Sequence, residues 1–310
     1  MRTRSQIALV SLFIFCLYIV PGAAAAIYRV PADVPTLPQA IELAQRGDII
    51  ELAVGKHKLA GREIMLKPGL TIRTDTGMPG GVVLEECACY CGDWRDRPVF
   101  ILDADNDPCR FEGITFANFT LSCGPDQYVN MPAFHVVEGT LKFTDCKFLN
   151  FYKTAVWFDG GVGRFLRCDF AGGQGCPSLV RFGGERLVME DCDVTDQRWV
   201  TDCGEYRGSL LQLLSGETFL LNTMLHDNGP LVTMIEVGPL AYLEARDSCF
   251  LENITQWEGR VLGSALLDCC TIDPVLWYVA EDAELIIIED MAKAATVETT
   301  TWTDVRNLFQ

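Results

Sequence analysis

Basic residues are the scarce class in this chain. Lysine and arginine total 25 against 42 aspartates and glutamates in 310 residues, a formal net charge of −17. A surface of that sign repels nucleic acid and anionic membranes, so neither is expected as a partner. It also disfavours a bare polyanion as ligand unless a cation bridges the two. Long apolar runs are scarce as well. After residues 7–20, no stretch approaches the ~20 apolar residues that a spanning helix needs.

That one early run has the setting of an export signal. Arg2 and Arg4 precede it, and Pro21-Gly-Ala-Ala-Ala-Ala26 supplies small residues for cleavage. A signal peptide over 1–26 is expected, with a secreted mature chain from Ile27, whether extracellular, periplasmic or at the cell surface. No membrane insertion is expected after cleavage. Of 14 cysteines, one (Cys16) leaves with the leader, and an odd number remains. In an oxidising compartment most loop cysteines pair. Cys87, Cys89, Cys91, Cys109, Cys123, Cys176 and Cys203 lie in turn or insert text, and 85–123 reads as a cysteine-rich, disulfide-stapled insert. Cys176 and Cys203 are placed to bridge the loops of successive repeats.

The other cysteines belong to a repeat. LKFTDCKF (141–148) returns as RFLRCDF (164–170) and LVMEDCDV (187–194), then more loosely as FLLNTML (219–225), YLEARDSCF (242–250) and ALLDCCTI (265–272). Phe143, Phe165, Met189 and Leu220 fill one apolar column, and Phe148, Phe170, Val194 and Leu225 another. Charged residues stand between them, as strands with one buried face require. Cys146, Cys168, Cys192 and Cys269 take the repeated slot, with Thr223 replacing cysteine in the fourth copy. Such a column reads as small buried hydrophobes. A zinc site would need more than one ligand per rung, and neither a Cys-x-x-Cys pair nor a histidine stands beside these cysteines.

A second strand precedes each copy, at 133–138, 155–159, 179–182, 210–214 and 231–235. Glycine follows shortly after each one, as Gly139, Gly160, Gly183, Gly216 and Gly238. A repeat of 20 to 30 residues built of strand, glycine turn, strand and loop is the mark of a solenoid. The fold class expected is all-β, a right-handed parallel β-helix, with rungs ~4.8 Å apart.

Its opening carries a cap. In 27–52, IYRVPADVPTLPQAIELAQRGDIIEL, Thr36 with Gln39 forms a capping box. Pro38 sits in the first turn, and Leu37, Ile41 and Ala44 share a face. Gly47 is expected to end this helix, which would cover the open end of the solenoid. VPADVPTLPQAIELAQRGDIIELAVGKHKL, continuing to IMLKPGLTIR at 64–73, resembles the opening of secreted right-handed β-helix proteins of the pectate-lyase-like superfamily. The resemblance implies the fold for the whole chain. It implies polysaccharide lyases, glycoside hydrolases, epimerases, esterases, phage-tail depolymerases and proteins of no known activity as functional company, and so does not choose a function. One domain over 27–310 follows, with regular coils at 133–290 and a tail at 291–310.

Chemistry is expected on the strands before the glycines. With Phe134, Val136, Val156, Phe158, Val180, Phe182, Leu211 and Leu213 inward, the outward residues are His135, Trp157, Arg181, Gln212 and Thr233. In the resembled enzymes sugar chains lie along such a sheet. Trp157 would stack on a sugar, and Arg181, Gln212, His135 and Asp159 would bind its polar groups. The alternative is that Trp157 and Arg181 stack on each other. Lyase chemistry would use Lys153 or His135 as base and Arg181 as stabiliser of the enolate. Hydrolysis would need Asp159 with a second carboxylate such as Glu190 or Asp191. Asp103, Asp105 and Asp107 open like a calcium loop, but Pro108 and Ile114 replace the glycine and glutamate it requires. Calcium is thus the one cofactor suggested, against a plain solvated loop. Asn118-Phe-Thr and Asn253-Ile-Thr match the glycosylation sequon. Two functions stand: a secreted β-helix that binds, and on one reading cleaves, a polysaccharide or glycan, and a structural or adhesive surface protein. Oligomeric state is not readable.

Overall fold

The computed structural model describes residues 25–288 except 60–62, 78–79, 87–97, 104–106, 120–131, 152–153, 174–177, 199–208, 230, 254 and 273–275. The expected leader (but for its last two residues), the C-terminal tail and Cys87, Cys89, Cys91, Cys123, Cys176 and Cys203 lie outside the described residues.

Among the described residues every ladder is parallel, and the central coils each repeat three strands. One coil holds Phe134–Glu138, Thr140–Thr144 and Lys147–Leu149. The next holds Val156–Phe158, Val162–Leu166 and Asp169–Ala171. Val180–Phe182, Arg186–Glu190 and Asp193–Thr195 follow. Stacked, these form three faces. The first two run together in an 18-stranded sheet, and the third is an 8-stranded sheet. In two later coils the first two strands fuse, as Ser209–Leu221 and Leu231–Arg246.

Register follows from the apolar columns. Phe134 pairs with Val156, Phe143 with Phe165 and Phe148 with Phe170. A one-residue slip would turn each of these rings to water. Identical residues on successive rungs stack. Phe143 lies 5.1 Å from Phe165 and 5.5 Å from Phe111 between ring centroids, and Phe148 lies 4.5 Å from Phe170. Each such pair adds roughly 0.5–1.5 kcal/mol beyond the area it buries.

The corner between second and third faces explains the cysteines. Its first residue has a left-handed backbone at Asp145, Arg167, Asp191, Asn222, Asp247 and Cys269, with φ between 46° and 54°. Its second residue points inward and donates to the carbonyl two residues back. Cys146, Cys168, Cys192, Thr223, Ser248 and Cys270 all do so. The slot therefore takes a small side chain with a donor, which serine and threonine supply as well as cysteine. In the last copy Cys270 fills it, and Cys269, expected there, is exposed at the left-handed position. A second corner, after the third face, buries Gln197 and Asn228. Asn228 Nδ2 donates to the Val194 carbonyl and to Asn253 Oδ1. Asn253 Nδ2 donates in turn to the Leu225 carbonyl, so its sequon amide is part of this ladder rather than a free acceptor.

Two other expectations need correction. The helix Leu37–Leu43 starts as expected, with Thr36 capping Gln39. It ends at Ala44 rather than Gly47, because Lys67 Nζ from the next coil takes the Glu42 and Ala44 carbonyls. Cys109 is not loop text. It is buried in the strand Cys109–Glu112, and with Phe100–Asp103 and Ile114–Ala117 it forms a regular coil inside the segment read as an insert. It pairs with Leu141, 32 residues on (141 − 109), a spacing outside the 20 to 30 residues of the repeat.

Two predictions follow from the packing. Burial pushes the thiol of Cys168 well up and that of Cys109 to about 12, and the hydrogen bond with Cys168, followed by burial, raises that of Cys192. In native protein, iodoacetamide mapped by mass spectrometry should label exposed Cys269 and spare Cys146, Cys168 and Cys192 until denaturant is added. At the bend between first and second faces, Gly161 has φ +72°, and a Cβ there would lie 2.0 Å from the Gly139 carbonyl oxygen. Gly161→Ala should cost about 2 kcal/mol or more in chemical denaturation.

Candidate functional site

The first face aligns its outward residues in one row. His135 pairs with Trp157, Trp157 with Arg181, and Arg181 with Gln212. The residues on either side of each are buried, so the row stands alone on its face. Beyond Gln212 the row continues with Glu236 and Arg260, not with Thr233. Thr233 pairs with Ser209 and is buried. The signal for the true register was Gly238: it follows Val237 directly, as Gly183 follows Phe182.

Packing fixes the row. The Arg181 guanidinium carbon lies 4.1 Å from the centroid of the Trp157 ring. The His135 ring flanks the same indole at 5.8 Å, tilted by 51°. Trp157 Nε1 donates to Asp159 Oδ1 at 2.7 Å, and His135 Nε2 lies 2.7 Å from Asp159 Oδ2. One exposed carboxylate thus holds two successive side chains. The stacked alternative of the sequence is what forms, and Trp157 offers its edge rather than the face that Arg181 covers. The cation–π contact contributes about 0.5–1 kcal/mol at an exposed site.

Two atoms of the row are left over. Among the described residues, Arg181 Nε and Gln212 Oε1 are buried without a hydrogen-bond partner. Where the chain enters the first face on the same coils, the Thr154, Ser178 and Ser209 hydroxyls are also buried and unpartnered. An unsatisfied buried group costs roughly 1–3 kcal/mol. Among the described residues five of the six such atoms lie on three consecutive coils of this face, and the sixth, the Thr218 hydroxyl, lies on the second face.

The expected catalytic groups are only partly brought together. His135 and Arg181 stand two rungs apart, ~10 Å along the axis, with Trp157 between them. Lys153 lies outside the described residues. Asp159 closes a first-face strand, whereas Glu190 and Asp191 lie at the far end of a second-face strand. Glu190 is tied to Arg164 and Asp191 to Asn222. Of the calcium candidates, Asp103 is exposed and Asp105 lies outside the described residues. Asp107 is hydrogen-bonded by Arg46, which holds its carboxyl below the usual range. Among the described residues no three potential ligands come together as a metal site.

Sequence reading missed two polar clusters. A cleft of about 400 Å³ at the end of the second face is lined by Glu51, Arg73, Asp75, Glu112 and Asp145. On the third face His226 lies between Asp227, 2.7 Å from Nδ1, and Asp193, 2.9 Å from Nε2. Asp193 is 33 residues away in sequence, so only the register joins them. Burial pulls the His226 pKa down, but the hydrogen bonds and charges of Asp227 and Asp193 outweigh it and the net shift is upward. A raised folded value stabilises the fold fully below the unfolded pKa near 6.5, and the gain fades as pH rises through the folded value. Denaturation of wild type and His226→Gln should therefore differ more at pH 5.5 than at pH 8.5. An equal difference at both would count against the charged pair.

No protein-family model matches the chain, and no curated protein matches it. Among solved structures, ORF18 of Geobacillus virus E2 aligns with a TM-score of 0.51 at 13% identity, over 92% of this chain and 64% of its own. The pectin methylesterase PemA from Erwinia chrysanthemi aligns at 0.44 with 13% identity, over 91% of this chain and 94% of its own. A PL6 family alginate lyase, AlyGC, aligns at 0.47 with 13% identity, over 89% of this chain and 38% of its own. This chain thus spans just under two thirds of the phage protein. The likeness to the Geobacillus virus protein shows a shared fold, the right-handed parallel β-helix, and nothing about chemistry.

Proposed function

We propose that this protein is an exported β-helix that binds a carbohydrate polymer along the first-face row of His135, Trp157, Arg181 and Gln212. The observation that carries the reading is the pair of unpartnered atoms, Arg181 Nε and Gln212 Oε1, within a row whose side chains are already fixed by stacking and by Asp159. A prearranged file of donors and acceptors, one per rung, suits an extended ligand lying along the axis. Sugar hydroxyls would bind His135, Asp159 and the Gln212 amide nitrogen, and a hydroxyl or carboxylate would bind the outer guanidinium nitrogens of Arg181, since Arg181 Nε and Gln212 Oε1 are themselves buried.

Binding is favoured over cleavage by the spread of the row. Lyase chemistry needs its base and its stabilising cation at one sugar residue, and His135 and Arg181 are separated by the indole between them. A second reading, a structural or adhesive surface protein, is favoured by one specific contact: Arg181 lies over Trp157 as it would if a partner covered the row.

The test is incubation of the purified protein with neutral and acidic polysaccharides, with and without calcium. It should follow binding, reducing ends and the ultraviolet absorbance of unsaturated products. The expected result is retention of one polymer class without new ends or absorbance, weakened about tenfold or more by Arg181→Ala or Gln212→Ala. Retention of no polymer would support the structural reading. New products lost in His135→Ala would make the protein an enzyme.

A further inference from the structure

The second face carries a column that the first-face row does not explain. Arg110, Lys142 and Arg164 occupy its central outward position on three consecutive coils, with Lys142 in register between the other two. Neighbouring rungs are ~4.8 Å apart, and like charges directly opposite each other destabilise a sheet. The net charge of −17 disfavours a polyanion over the surface as a whole, so any such binding would rest on this local column.

Their counter-charges are incomplete. Arg164 donates to Glu190 at 2.8 Å. Arg110 lies within the field of Asp107, whose carboxylate is already engaged by Arg46. Glu112 follows Arg110 by two residues on its own strand and makes no ion pair with it. Among the described residues, neither Arg110 nor Lys142 has an ion-pair partner, and both are half-buried. Burial, reinforced by the charges of Arg110 and Arg164, lowers the Lys142 pKa. The fold would be better served by a neutral residue at position 142.

We propose that Arg110, Lys142 and Arg164 form a track for oxyanions, taking sulfate- or phosphate-class groups carried along a polymer that lies parallel to the helix axis. Each arginine offers a planar fork of donors and the lysine a point charge. A group seated between two rungs accepts from both and removes their mutual repulsion. A polymer with a second charged group engages the third cation as well, at little further cost in freedom. The track lies on a different face from the row of Trp157 and stands independently of the function proposed for it.

The test titrates dextran sulfate, neutral dextran and inorganic sulfate into the full-length protein at several salt concentrations. Lys142→Gln and Arg110→Gln are compared with Lys58→Gln, which makes the same charge change on the third face. Dextran sulfate should bind, more weakly as salt rises, and neutral dextran should not. Either column variant should weaken binding about tenfold, and Lys58→Gln by less than about twofold. Lys142→Gln should melt no lower than wild type, because it relieves repulsion, so lost binding cannot be ascribed to lost folding. Equal weakening by Lys58→Gln would reduce the effect to overall charge and overturn the proposal. So would inorganic sulfate binding as tightly as the polymer per sulfate, or no binding of the polymer.

Discussion

In-register parallel stacking is the constraint on which everything else in this protein depends. Each residue has the equivalent residues of the coils before and after it as fixed neighbours at ~4.8 Å. A position is therefore a column, and its chemistry must be tolerable many times over. Inside, stacked phenylalanine meets that demand: Phe111, Phe143 and Phe165 lie ring on ring, as do Phe116, Phe148 and Phe170. At the corners, it is met by a left-handed residue followed by a small inward donor, whether Cys146, Thr223 or Ser248.

The same constraint makes exceptions readable. A polar residue outside a column has only solvent to satisfy, but a polar atom within a half-buried row competes with its neighbours for partners. On the first face Asp159 resolves that competition for His135 and Trp157, and nothing does so for Arg181 Nε or Gln212 Oε1. On the second face the stacked cations are likewise unresolved, except where Glu190 reaches Arg164. Both departures fall where a ligand along the axis would find one group per rung, which is the geometry a solenoid offers and a compact fold does not.

Most of the fold was legible because the repeat writes it several times. LKFTDCKF and its copies fix the second and third faces, and the register of His135, Trp157, Arg181 and Gln212 follows from the apolar residues on either side. Legibility failed where repeats fused or where partners are distant. The sequence sets Thr233 in the place of Glu236 because the strand Leu231–Arg246 runs through the bend without a break. Cys269 was taken for Cys270 because two adjacent cysteines fit one slot. The coil of Cys109 pairs at a spacing longer than the repeat, so the repeat does not reveal it. The stacking of Arg181 on Trp157 was visible only as an alternative, since column neighbours have no fixed rotamers in a sequence. The His226 cluster and the Arg110–Lys142 column needed the register itself.

The central claim is that the first-face row receives the ligand with its side chains already in place. The protein has 6 tryptophans, and the Trp157 indole N–H, bound to Asp159, can be assigned by its loss in Trp157→Phe. The most direct measurement is a nitrogen–proton spectrum of indole-labelled protein during titration with each polysaccharide. The account predicts that a bound polymer shifts the Trp157 resonance and that Arg181→Ala abolishes the shift. A polymer that binds Lys142→Gln protein as tightly as wild type, and so not through the second-face cations, while the Trp157 resonance stays in place would contradict it.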